Sequence, residues 1–220
     1  MDNSGVSNVV RKMDEQLKGD NSLVVYTAIF GPYDQLIEPD NTAAGCDFVC
    51  FTDQPRLASE KWDIRFLDSQ SSGPFRMSRE IKLLPHLHLP QYEQSIYVDA
   101  NVALSGNVSE LAERYLNRYS FLLPRHFSRD CIYEEALECV YLDLADLKIV
   151  QQQMEYYRRQ GMPEHFGLGE NNILLRRHHE VEVVRTMEEW WEQFLRFTTR
   201  DQLSLAFSLW KLQSQFHYIE

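Results

Sequence analysis

The chain has 220 residues, 44% hydrophobic and 25% charged, with a formal net charge of −11 at pH 7. That length supports one sizeable domain with its own core. The acidity argues against nucleic acid or an anionic membrane surface as a general partner, since both reward a basic surface.

No apolar run approaches the roughly 18–20 residues of a membrane span, and the first residues carry no signal-peptide core. No integral membrane segment and a cytoplasmic location are therefore expected. Residues 1–22 are polar, with a weak helical period in Val9, Val10, Met13 and Leu17, and read as an N-terminal arm or peripheral helix. Residues 23–30 are the first strand, stopped by Gly31-Pro32. Residues 48–52 and 62–67 read as two more. Ser71-Ser72-Gly73-Pro74 opens a helix from 75 to about 86.

An apolar run then ends in Asp99-Ala100-Asn101, a strand whose C-terminal carboxylate lies where open α/β sheets place their ligand crevice. Asn107 is an N-cap for a helix over 108–117, with Glu110 at the capping-box position. Residues 119–123 suggest a strand, 130–157 are mostly helical, and Gly161-Met162-Pro163 breaks them. Residues 172–176 form a strand and 180–197 a helix, whose Trp190 and Trp191 fit core packing. A last helix starts at 199–201 and runs through Lys211, followed by a strand-like tail over 216–219. Strands alternating with helices define an α/β class.

The four cysteines read as reduced structural thiols. Cys46 and Cys50 on one strand stand about 13 Å apart, and Cys131 and Cys139 on one helix about 12 Å apart, both beyond disulfide reach. Cross-pairs stay open.

Four segments fall where an α/β sheet exposes its ligand face. In the segment 27–34, Thr27, Phe30, Gly31 and Tyr33 are candidate ligand contacts: Gly31 permits a close backbone turn and Tyr33 could stack on a base. Asp53 offers acceptors to a base or ribose edge, with an N-cap as the alternative. Arg76, Arg79 and Lys82 recur every three residues on one helix side, a pattern suited to phosphate or to a solvated face. Asp201, at a helix start, is a general-base candidate or a cap. Asp99 and Asn101 offer two oxygens at i and i+2, which could share a hard cation holding a diphosphate.

Together these features resemble the GT-A glycosyltransferases, and more closely the TOD1/MUCI70 glycosyltransferase-like family (domain of unknown function 616). The motifs that carry the resemblance are Val24 to Asp34, Arg76-Met77-Ser78-Arg79-Glu80-Ile81-Lys82, Tyr97-Val98-Asp99-Ala100-Asn101, Arg129 to Ala136, Gly167-Leu168-Gly169-Glu170-Asn171-Asn172 and Arg200-Asp201-Gln202-Leu203-Ser204. The resemblance implies a single GT-A-like (Rossmann-like) domain over 23–220, with a mixed, mainly parallel sheet flanked by helices. It implies a nucleoside-diphosphate sugar donor, UDP favoured, a glycan or polysaccharide acceptor, and Mn²⁺ or Mg²⁺ at Asp99 and Asn101. Asn101 stands where the family's D-x-D pattern has its second carboxylate, which removes a charge. His217 is a further metal-ligand candidate by position. Glu170 would face the acceptor and Asp201 the reaction centre, either serving as base. A catalytically silent nucleotide- or glycan-binding module is the alternative, and a sugar nucleotidyltransferase a third, disfavoured by the glycine-poor turn after the first strand.

Overall fold

The computed structural model describes residues 22–219 apart from 33, 41, 43 and 44. The polar arm, save Ser22, and Tyr33 therefore lie outside the described residues. Seven strands form one sheet: β1 (Leu23–Ile29), β2 (Cys46–Thr52), β3 (Asp63–Phe66), β4 (Gln94–Val98), β5 (Phe121–Pro124), β6 (Ile173–Arg176) and β7 (His217–Ile219). Their order is β3-β2-β1-β4-β6-β5-β7. All run parallel except β6, which is antiparallel to both β4 and β5. The expected mixed, mainly parallel sheet is therefore what the chain builds.

Strand order reverses between β1 and β4, so the crevice beyond their C-terminal ends is the site where such sheets hold ligands. Alternation along the strands divides the core between two faces. Val24, Tyr26 and Phe30 pack on one face with Tyr97, Leu174 and Trp190. Val25 and Ile29 pack on the other with Ile96, Leu122 and Leu175.

Seven helices complete the described chain: α1 (Pro74–Leu83), α2 (Pro85–His88), α3 (Val108–Leu116), α4 (Ile132–Tyr141), α5 (Leu147–Gln160), α6 (Val181–Arg196) and α7 (Gln202–Leu212). Asn107 caps α3, its side chain accepting from the Ser109 and Glu110 amides. Trp190 is fully buried on α6, as core packing required. Helices α4, α5 and α7 share a satellite core that includes Tyr157 and Phe207, whose rings stack at 3.9 Å.

Two expected helices are divided. The segment 75–86 breaks after Leu83 because Pro85 lacks an amide donor and its ring excludes helical geometry before it. The segment 130–157 breaks between α4 and α5, where Asp143 adopts φ 55° and Asp146 caps α5 through the Lys148 and Ile149 amides. All four cysteines are free and buried. Burial pushes the Cys46 and Cys50 thiols up to about 12, consistent with inert structural thiols. Among the described residues, no helix is long and apolar enough to cross a membrane.

Candidate active site

Helix α1 begins at the C-terminal edge of the sheet and runs back along it. Helical side chains lean toward their own N-terminus, so Lys82, near the end of α1, reaches back to that edge. Its side chain is only 3% exposed, and its Nζ lies 2.9 Å from Asp201 Oδ2 and 3.5 Å from Asp99 Oδ1. Arg79, one turn earlier, places Nε 3.8 Å from Asp201 Oδ1. An ammonium and a guanidinium thus face two carboxylates from different elements.

Buried groups hold this quartet. Tyr97 donates its hydroxyl to Asp99 Oδ1 at 2.8 Å, and its ring lies 5.0 Å from Lys82 Nζ. Beneath it, fully buried Arg176 and the Tyr26 hydroxyl both donate to the Lys82 carbonyl, each at 3.0 Å. Arg176 also bonds the Tyr26 hydroxyl. A cation at a helix C-terminus complements the exposed carbonyls, and here it fixes the end of α1. From the other side, Trp190 Nε1 donates to the Asp201 carbonyl at 2.8 Å, which anchors the α6–α7 turn.

Asp201 is not a side-chain cap: the start of α7 has no side-chain capping bond, because its carboxylate turns inward to Lys82. Burial pushes its carboxyl up, but Lys82 and Arg79 outweigh that and hold it below the ordinary carboxylate value. A carboxylate held ionised in this way is a weak proton acceptor, so the geometry disfavours Asp201 as general base.

Of the three cations expected on one helix side, two therefore have carboxylate partners. Arg76 is exposed and lies 5.7 Å over the Trp191 ring. An open cavity of about 330 Å³ adjoins this group, lined by Ala28, Phe30, Asp34, Phe75, Ser78 and Arg79. Phe30 and Arg79 thus meet at the crevice.

Thr27 does not join them. It is fully buried and in phase with Val25 and Ile29, which places it on the opposite sheet face. Gly31 has φ 68°, a conformation that favours glycine, but what approaches its amide is Asp53 Oδ1, at 2.9 Å. Asp53 Oδ2 accepts from the Ser69 hydroxyl at 2.6 Å. Both carboxylate oxygens staple neighbouring loops, so Asp53 is a loop clamp where a ribose contact was expected.

His217 is also displaced. It opens β7 beside Leu122, toward the N-terminal edge of the parallel strands, and its ring lies 3.6 Å from that of Tyr119. Three strand spacings, about 14 Å, separate β7 from β4. His217 therefore cannot complete a metal shell at Asp99.

The donors at the crevice are the Asp99 carboxylate, 35% exposed, and the Asn101 carboxamide, whose Nδ2 lies 3.5 Å from Asp34 Oδ1. Among the described residues, no three His, Cys, Asp or Glu side chains converge on one ion. A hard oxygen set this small suits Mg²⁺ or Mn²⁺ when substrate phosphates fill the remaining positions.

Glu170 sits at the same edge. Its amide donates to the Pro124 carbonyl at 2.8 Å, and its Oε1 lies 3.5 Å from His126 Nε2. Gly169 permits this approach, since a Cβ there would meet Leu123 at 2.1 Å. Tyr97, Arg176 and His126 are site residues that motif reading overlooked. Only Arg176 left a signal, a lone charge closing the apolar run Ile173-Leu174-Leu175.

A doubly wound start, one reversed strand and an acidic crevice beyond β4 define the class, a GT-A-like domain. The TOD1/MUCI70, glycosyltransferase-like domain matches residues 61–219, and the chain belongs to that family. It is 23% identical over 219 residues to the probable hexosyltransferase MUCI70 of Arabidopsis thaliana, an alignment covering 87% of this chain and 38% of that protein. The chain thus spans under two-fifths of that relative's length. The apo structure of WbbM, a bifunctional glycosyltransferase, superposes with a TM-score of 0.55 at 9% identity, covering 91% of this chain and 39% of that one. That likeness is one of fold.

Proposed function

We propose that this chain transfers a sugar from a nucleoside-diphosphate donor, UDP favoured, to a glycan acceptor, with Mg²⁺ or Mn²⁺ assisting. The observation that carries this reading is Lys82 set between Asp99 and Asp201 beside the cavity that Arg79 and Phe30 line. Asp99 and Asn101 would hold the cation, which when bound neutralises charge on the departing diphosphate.

The protein's own groups divide the remaining work. Arg79 borders the cavity and offers guanidinium donors to phosphate oxygens. Lys82 is already matched by two carboxylates; its task is to orient Asp201 and keep it ionised. Asp201 then accepts hydrogen bonds from donor hydroxyls, a fixed polar environment that needs no reorganisation during transfer. Glu170, with 27% of its side chain exposed, is the better-placed base for an acceptor hydroxyl. A mechanism that retains anomeric configuration would leave it as an acceptor contact.

Asn101 in place of a carboxylate favours one competing reading, a silent nucleotide- or glycan-binding module. A thermal-shift screen against UDP-, GDP-, CMP- and dTDP-sugars, with and without Mn²⁺, tests the proposal. Ligand at about a hundred times Kd stabilises the fold by about 2.7 kcal/mol. The expected result is a shift with a UDP-sugar that grows with Mn²⁺. No shift with any of the four overturns the donor assignment. A shift without transfer or donor hydrolysis supports the silent module.

A further inference from the structure

The loop between β5 and α4 carries chemistry that the donor site does not use. Phe127 on this loop is 87% exposed, the highest value among the large hydrophobic side chains described. One exposed aromatic alone signals little, but this one has a buried ring partner. Its ring stacks on that of His126 with centroids 5.1 Å apart and planes 14° apart.

His126 is itself immobilised. Its Nδ1 accepts from the Ser128 and Arg129 amides at 3.2 and 3.0 Å, so Nε2 carries the ring proton in the neutral imidazole. That nitrogen faces Glu135 Oε2 and Glu170 Oε1, each at 3.5 Å. Arg129 Nε donates to Glu135 Oε2 at 2.6 Å. The loop thus presents a flat apolar face rimmed by a carboxylate and a guanidinium.

Hydrogen bonds tie this loop's neighbour, the segment 169–172, to the crevice. The Asp99 amide donates to the Asn172 carbonyl at 2.9 Å, and Gln202 Nε2, next to Asp201, donates to the Gly169 carbonyl at 3.1 Å. The segment 169–172 therefore bridges the donor quartet to His126. Strand spacing from β4 through β6 to β5 makes that step about 10 Å, the length of a disaccharide.

We propose that Phe127 and Arg129 form an acceptor subsite for a pyranose unit of a neutral glycan, with the reacting unit between it and Asp99, beside Glu170. The reasoning rests on the glycosyltransferase reading above. A pyranose has one apolar C–H face and a rim of hydroxyls. Phe127 covers the first and Arg129 donates to the second, while Glu170 serves the neighbouring, reacting unit. His126 is a positioning residue that fixes both Phe127 and Glu170. An anionic sugar is disfavoured because Arg129, the guanidinium of this rim, is already matched by Glu135 and Glu138, with the Glu170 carboxylate nearby.

The test is saturation-transfer NMR on the full chain with xylotriose, cellotriose and trigalacturonate, for wild type, Phe127→Ala and Phe127→Trp. UDP affinity is measured in parallel by calorimetry. A neutral trisaccharide should bind wild type and Phe127→Trp, and Phe127→Ala about tenfold more weakly, with UDP affinity within about twofold throughout. Equal binding by wild type and Phe127→Ala overturns the subsite, as does the absence of neutral trisaccharide binding in wild type. Binding of trigalacturonate alone overturns the neutral assignment. If UDP fails to bind while the Phe127-dependent glycan signal persists, the donor reading falls and the glycan subsite stands.

Discussion

Lys82 Nζ and Asp201 Oδ2 meet at 2.9 Å across a crevice that closes only when α1 and the α6–α7 turn pack on the same sheet face. Removing one partner of a buried ion pair strands the other charge, at a cost of about 3–5 kcal/mol. Asp201→Asn should lose about 3 kcal/mol in urea unfolding, the low end of that range, because Asp99 still faces Lys82. A loss under about 0.5 kcal/mol would show that the pair is not closed in solution. Lys82→Met combined with Asp201→Asn should recover part of the loss.

Arg79→Ala tests the phosphate contact. Hydrogen bonds to charged groups contribute about 1.5–3 kcal/mol, so UDP should bind roughly ten- to a hundredfold more weakly while uridine affinity hardly changes. Equal losses for UDP and uridine in calorimetry would move Arg79 away from the phosphates.

The Asp99–Asn101 turn separates metal from scaffold. Asn101→Asp adds the absent carboxylate and should tighten Mn²⁺-dependent UDP binding; an unchanged Mn²⁺ requirement would place Asn101 outside the cation's shell. Asp99→Ala should remove the dependence on divalent ion while circular dichroism stays native, since Asp99 is 35% exposed. Unfolding of that variant would assign Asp99 a structural role.

Acid should destabilise the fold in two windows. Burial, with the nearby charges of His179, Arg176 and His86, lowers His178 to about 3, and burial also lowers His86 and His88. The unfolded chain binds these protons near pH 6.5, so the stability is present above that value and is lost as pH falls toward the folded one. His178 alone should cost about 2 kcal/mol between pH 6.5 and 5. Asp201, whose folded value is depressed, adds a loss below the ordinary carboxylate range. His165, raised by Asp130 beside it, has the opposite sign, but the pair is exposed and water screens it. Urea melts from pH 7.5 to 3 check both windows, and His178→Gln should flatten the upper one. A pH-independent midpoint for wild type would mean that these histidines protonate without cost.

Local chemistry determined much of this protein by itself. Apolar runs closed by Gly31-Pro32 and by Asp99 placed the strands, because burial and turn residues act over a few positions. Asn107 capped α3 for the same local reason. The segments carrying Phe30 and Asp99 were legible too, since strand-end positions share one edge of a parallel sheet; Arg79 came from helical spacing, Asp201 from a helix start and Glu170 from family resemblance. Tertiary structure decided which of the groups meet. Strand phase turned Thr27 into the opposite core face, sheet order carried His217 away from Asp99, and packing of α6 against α7 turned Asp201 from a cap into the partner of Lys82. The stacking of His126 on Phe127 beside Glu170 follows from no spacing in the chain. Such contacts join residues far apart in sequence, and their free energy comes from burial and charge pairing that exist only once the sheet has formed.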